Sequence, residues 1–87
     1  MNYAYTHDAE RLMMSTARAV RYCTTIGGER HGSSYWWNKL VRYFEKEQAA
    51  ASVVIPCELN LCGAKPGTVT FRRDGSCVFE LDHSKAE

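Results

Sequence analysis

The stretch Gln48-Ala49-Ala50-Ala51-Ser52-Val53-Val54-Ile55-Pro56-Cys57-Glu58-Leu59-Asn60-Leu61 decides the fold. Up to Ala51 the apolar residues recur at steps of three and four, as on one face of a helix. Beyond it they alternate, as on a strand whose two sides meet different surroundings. Val53, Ile55, Cys57, Leu59 and Leu61 all carry odd numbers, and β-branched residues suited to a pleated surface begin here. The chain reads as helical before this point and as sheet after it.

Downstream, three strands are predicted near residues 52–61, 68–73 and 76–82, with the Cys62 to Gly67 segment, containing Lys65-Pro66-Gly67, as a loop. Val69 and Phe71, then Cys77, Phe79 and Leu81, keep the odd parity, so one face is buried and the other solvated. Parity also selects the last hairpin, because residues paired across a ladder point to the same side. A two-residue Asp74-Gly75 loop would set Phe71 opposite Val78. A three-residue loop, Arg73-Asp74-Gly75 with a left-handed Gly75, sets Phe71 opposite Cys77 and Val69 opposite Phe79, and is the predicted turn. Pro56 has no N–H to give a ladder, which predicts an edge position for the first of these strands.

Upstream lie two amphipathic segments. From Ala9 to Ile26, the residues Ala9, Leu12, Met13, Thr16, Ala19, Val20 and Cys23 share one helical face, with Thr6 or Asp8 as cap and Gly27-Gly28 as the stop. Ser33 and Ser34 are predicted caps of a second helix. Its buried stripe is Trp37, Leu40, Val41, Phe44, Gln48 and Ala51, and its outer face is Asn38, Lys39, Arg42, Glu45 and Lys46. The eight residues Gly27 to Ser34 exceed the roughly three- or four-residue turn of a DNA-binding helix-turn-helix, which excludes that motif. Tyr3 and Tyr5 alternate and suggest a short extra strand. The predicted fold is α+β: two N-terminal helices packed on one face of a three-stranded antiparallel meander, in two layers.

The chain has 87 residues, enough for one core, so a single domain over 1–87 is expected, with residues 1–5 and 84–87 frayed. It is 45% hydrophobic and 24% charged with a net charge of +1, which gives no chain-wide attraction to nucleic acid or anionic membranes. The longest uncharged stretch, Gln48 to Cys57, is ten residues, far below the roughly 20 that span a bilayer. Met1 to Asp8 lacks a basic leader followed by an apolar run, so the cytoplasm is the expected compartment, with no membrane association and reduced cysteines.

Cys57, Cys62, Cys77 and His83 form the set nearest to a zinc site, since structural zinc takes Cys and His. Their spacing is x4, x14, x5, and strand parity directs Cys57 and Cys77 inward but Cys62 outward, so plain thiols are expected, with no metal or other cofactor. Cys23 sits on the apolar stripe of the first helix, where packing is the expected role. The three histidines His7, His31 and His83 give no nucleophile–base pattern, and no Gly-x-Ser-x-Gly, His-Glu-x-x-His or phosphate-loop motif occurs. No catalytic residue is assigned and no enzyme activity is expected.

Two features point to binding. The loop Gly27 to Ser34 leads into a helix start whose backbone N–H groups suit an anion, with Arg30 and His31 adding charge. Arg11, Arg18, Arg21 and Arg42 fall outside the buried stripes, bordered by Tyr22, Tyr35, Trp36 and Tyr43, with Lys39 on the same outer face. Arginine beside aromatic residues is the chemistry of protein-binding hot spots and of stacking on single-stranded nucleic acid. Tyr35, Trp36 and Trp37 are consecutive and cover more than half of a helix circumference, so at least one is expected in solvent.

The expected function is a small non-catalytic interaction protein, an inhibitor, regulatory adaptor or complex subunit, that binds a larger protein through Arg30, His31, Tyr35, Trp36, Lys39, Arg42, Tyr43, Arg11, Arg18 and Arg21. A homo-oligomer is compatible with it. The alternatives are a nucleic-acid-binding module using the same arginines and a zinc-stabilised domain.

Overall fold

The computed structural model describes residues 7–82. The ends expected to fray, the strand expected at Tyr3 and Tyr5, the cap expected at Thr6, and His83 therefore lie outside the described residues. The elements run α1 (His7–Tyr22), β1 (Cys23–Ile26), α2 (Ser33–Lys46), β2 (Ser52–Asn60), β3 (Ala64–Arg72) and β4 (Cys77–Leu81). They form an α+β molecule with a four-stranded antiparallel sheet in the order β1-β2-β3-β4.

The sheet has four strands rather than three because the expected end of the first helix is β1. Cys23 and Ile26 are both buried, three residues apart, which resembles the next step of a helical stripe. A bulge at Thr24 produces that spacing instead: Cys23 opposes Leu59 and Thr25 opposes Glu58, so one residue is extra and the side-chain parity flips. Gly27-Gly28 does not stop a helix. With φ of 61° and 76° it makes a two-residue turn of the kind that needs two positive φ values, closed by Ile26 N–H to Glu29 O at 2.9 Å and Glu29 N–H to Ile26 O at 3.1 Å.

β2 is consequently interior, not an edge, yet Pro56 breaks no ladder. Its nitrogen faces the β1 side opposite Gly27, one residue after β1 has ended, and its carbonyl accepts from Gly27 N–H at 2.7 Å. Pro66 repeats the arrangement. The segment expected as a loop from Cys62 to Gly67 is mostly strand, turned through Leu61, Cys62 (φ 52°) and Gly63 (φ 113°), and Pro66 faces the β4 side just where β4 has ended, its carbonyl accepting from Asp82 N–H at 3.0 Å. Gly67 is fixed by close approach: a Cβ there would run into the Glu80 carbonyl and would lie 2.8 Å from Leu59 Cδ1.

The last hairpin has the bulged form, with Phe71 opposite Cys77, Val69 opposite Phe79 and Gly75 at φ 93°. Its tip is pressed onto α1, where Ser15 Oγ donates to Gly75 O and a Cβ on Gly75 would stand 3.0 Å from Asp8 O. Odd parity holds through the centre of the sheet. Cys57, Leu59, Val69 and Phe71 are buried while Val54 and Glu58 are exposed.

The core joins these odd positions to Ala9, Leu12 and Ala19 of α1 and to Trp36, Leu40, Val41 and Phe44 of α2. Each fully buried large side chain contributes about 1.5–3 kcal/mol. Trp37, expected on the buried stripe, is half-buried and donates its indole N–H to Ala9 O at 2.8 Å, while Trp36 takes the inward place. Gln48 and Ala51, also expected on that stripe, lie beyond the helix and are exposed. The N-cap of α2 is Gly32 and not Ser33 or Ser34, and no side chain caps it. Its C-terminus is held from the sheet: the Arg73 guanidinium donates to Ala50 O (2.8 Å), Phe44 O (2.9 Å) and Glu47 O (2.6 Å).

Candidate interaction surface

Along α2, Tyr35, Lys39 and Arg42 follow steps of four and three and make one exposed stripe. His31 of the preceding loop stacks on Tyr35, with ring centroids 3.7 Å apart and planes 20° from parallel. Tyr35 meets Trp36 edge-on at 5.0 Å, and Lys39 Nζ stands 5.6 Å from both ring centres, within cation–π range. His31 Nε2 lies 2.7 Å from Glu29 Oε1, and Arg30 Nε donates to Thr24 O over a long 3.4 Å. The loop is thus arranged by ring stacking, with a cation above the rings.

Of the expected binding residues, the structure gathers Arg30, His31, Tyr35 and Lys39 into this cluster and places Arg42 one turn further along. Trp36 is 3% exposed and belongs to the core, so it supports Tyr35 from beneath and offers no surface of its own. Tyr43 is half-buried, edge-on to Phe44 at 5.3 Å. Among Tyr35, Trp36 and Trp37, Tyr35 is the ring left in solvent.

Arg11, Arg18 and Arg21 lie elsewhere, along the flank of α1. Arg11 and Arg18 line an open groove between α1 and the β3–β4 hairpin, together with Met14, Ser15 and Cys77. Arg21 borders both this flank and the loop of Arg30 and His31. Among the described residues none of Arg11, Arg18, Arg21, Lys39 and Arg42 forms an ion pair. Met14 is 75% exposed and Tyr22 50%, so apolar groups alternate with these cations. Met13, expected on the buried stripe of the first helix, is 49% exposed and adds to this apolar surface.

The cysteines do not converge. Cys57 lies beside Cys23 on the inner sheet face, Cys62 is exposed at the β2–β3 turn, and Cys77 points its thiol at Ser15 O, 3.9 Å away. Among the described residues no group of three or more His, Cys, Asp or Glu is placed to hold a metal. Burial, reinforced by the Cys57 thiol, pushes the Cys23 thiol up to about 12, and burial also raises Cys57. Neither supplies a thiolate nucleophile at neutral pH. Asp74 is held below the usual carboxylate range by hydrogen bonds from the Ser76 hydroxyl and N–H, with Arg72 and Arg11 assisting. No described helix is long and apolar enough to cross a membrane. No family model, no curated protein and no solved structure matches this chain.

Proposed function

We propose that the chain is a small non-catalytic binding protein, working in the cytoplasm as an inhibitor, adaptor or complex subunit, that docks on a larger protein through the stripe His31, Tyr35, Lys39 and Arg42. The reading takes both helices to roof the odd-numbered sheet face, so that the outer side of α2 is presented to a partner. The observation that carries it is the exposed stack of His31 on Tyr35 with Lys39 beside the rings. Such a platform is already ordered before binding, so little side-chain entropy remains to be lost on association.

The test compares the native chain with the triple variant Tyr35→Ala, Lys39→Ala, Arg42→Ala in retention of partners from the cells that make it, with thermal melting as the control on folding. Loss of a partner at unchanged Tm is the expected result. Retention by the folded variant overturns the reading. The same stacked rings also suit an unpaired base, which keeps nucleic acid as the second reading. A salt titration separates the two, because each phosphate neutralised releases counterions and gives a steep slope that a protein partner does not require.

A further inference from the structure

α1 starts against the tip of the β3–β4 hairpin at Gly75 and ends by running directly into β1, the opposite edge of the sheet. Its backbone therefore passes from the hairpin tip towards the β1 edge, while Ser15 and Tyr22 still reach Cys77 and Phe79 of β4. The inner side of β4 is left partly uncovered. Val69 and Phe71 on β3 are 0% exposed, whereas on β4 Cys77 and Phe79 are half-buried and Leu81 is 38% exposed. Tyr22, Leu59, Leu61, Phe79, Glu80 and Leu81 line the wedge that opens there, and the Tyr22 ring stands edge-on to Phe79 at 5.8 Å.

The same residues carry open backbone groups. Ser76 O accepts from Arg72 N–H at 2.9 Å and Asp82 N–H donates to Pro66 O at 3.0 Å, so the even-numbered residues of β4 face β3. By the alternation of an antiparallel ladder, the N–H and C=O of Cys77, Phe79 and Leu81 point to the side where no described strand lies. β4 has no proline, no lysine and no bulge to protect the edge, and its one charged residue is Glu80.

We propose that the open edge of β4 and the wedge beside it take up an acidic, extended segment of a partner protein by strand addition. This deepens the binding reading by naming a second contact and the partner's chemistry, and it rests on that reading only in treating the chain as a binding protein. The added strand satisfies the odd-numbered backbone groups of β4 and lays alternate apolar side chains over Phe79 and Leu81. Charge selects the occupant. Among the described residues Arg11 and Arg18 form no ion pair; they line the α1 side of the groove with Arg21 further on, the groove's carboxylate, Asp74, is engaged by Ser76, and Glu80 at the wedge leaves the three arginines in excess. A second copy paired on the same edge would bring the arginines of two α1 helices to one seam, where like charges repel. Acidic side chains on an extended segment meet them favourably.

The test uses the full chain and three nine-residue probes: a peptide alternating valine and glutamate, its counterpart with lysine for glutamate, and a glutamate peptide with proline at alternate positions. Binding is read by fluorescence anisotropy and by amide exchange of β4. The glutamate peptide is expected to saturate and to slow exchange at Cys77, Phe79 and Leu81, and the lysine and proline peptides are expected not to bind. The exposed pair Arg11→Glu, Arg18→Glu should weaken the glutamate peptide about tenfold and admit the lysine peptide, two surface charge contacts being of that order. Should this variant fail to fold, the three peptides on the native chain still decide.

Equal binding of the glutamate and lysine peptides overturns the proposal, as does a concentration-dependent dimer whose odd β4 amides are already protected. Absence of peptide binding while capture through α2 persists overturns the edge alone. Loss of α2-dependent capture with peptide binding intact overturns only the α2 surface.

Discussion

The sheet has two edges, and they are built in opposite ways. β1 is four residues long, bulged at Thr24, closed by the Gly27-Gly28 turn and continued at once into the loop that starts α2. Both of its apolar side chains, Cys23 and Ile26, are buried. β4 is unbulged, its apolar side chains are only partly covered, and its outward backbone groups meet no described strand. Edges recruit foreign strands unless something blunts them. One edge of this sheet is blunted by local backbone chemistry, and the other keeps backbone groups that a further strand could pair.

The contrast can be broken most severely at the point that holds β4 against α1. Gly75→Val forces a side chain into φ 93° and against Arg11 and Asp8, and combined strain and overpacking of about 1–3 kcal/mol each should unfold much of the population, seen as a large loss in urea stability. A loss under about 1 kcal/mol would show that the hairpin is not seated on the helix. Next come two aromatic truncations. Phe71→Ala, in the fully covered part of the sheet, is expected to cost about 3–5 kcal/mol, and Phe79→Ala, half-covered on β4, clearly less. Equal costs would remove the asymmetry. Arg73→Ala removes the donor that joins the hairpin to the last carbonyls of α2 and should cost about 1.5–3 kcal/mol in the same assay.

β1 has its own signature at high pH. The Cys23 thiol has an ordinary value of 9.0 when unfolded and about 12 when folded, so the folded state holds its proton more tightly. Its contribution is complete below pH 9.0 and declines between 9.0 and about 12, by at most about 1.4 kcal/mol per pH unit. Cys23→Ala should flatten that part of the stability curve, and an unchanged slope would show that the thiol is not buried as described. The gentlest measurement is amide exchange on the free chain, in which the odd positions of β4 should exchange faster than Val78 and Glu80, while Ile26 and Cys57 stay protected.

The C-terminal hairpin was legible in the sequence because parity and turn geometry constrain each other: only a three-residue loop keeps Phe71, Cys77, Val69 and Phe79 on one side. β1 was not, since a bulge turns a period of two into a step of three, and Cys23 and Ile26 then extend the stripe begun by Ala19. Gly27-Gly28 suits either a helix stop or a tight turn, and only the partner strand decides between them. Trp36 and Trp37 exchanged roles because three adjacent aromatics leave the rotation of a helix about its axis open. The role of Arg73 had no local signal, its acceptors lying 23 to 29 residues away in the chain. For the candidate surfaces, the exposed cations could be read from helical phase. The partly bare flank of β4 could not, because it follows from the course of α1 towards the β1 edge, which no spacing rule encodes.

The placement of the two prolines has a consequence for how the sheet assembles. Pro56 and Pro66 each stand one step past the end of a neighbouring strand, where a missing donor is harmless. If β1 or β4 slid along by a single hydrogen-bonded pair, a carbonyl would face a pyrrolidine ring with nothing to accept. Misaligned zippers are thereby penalised at both margins during folding, and the two rings serve as end-stops that let the strands close in one frame only.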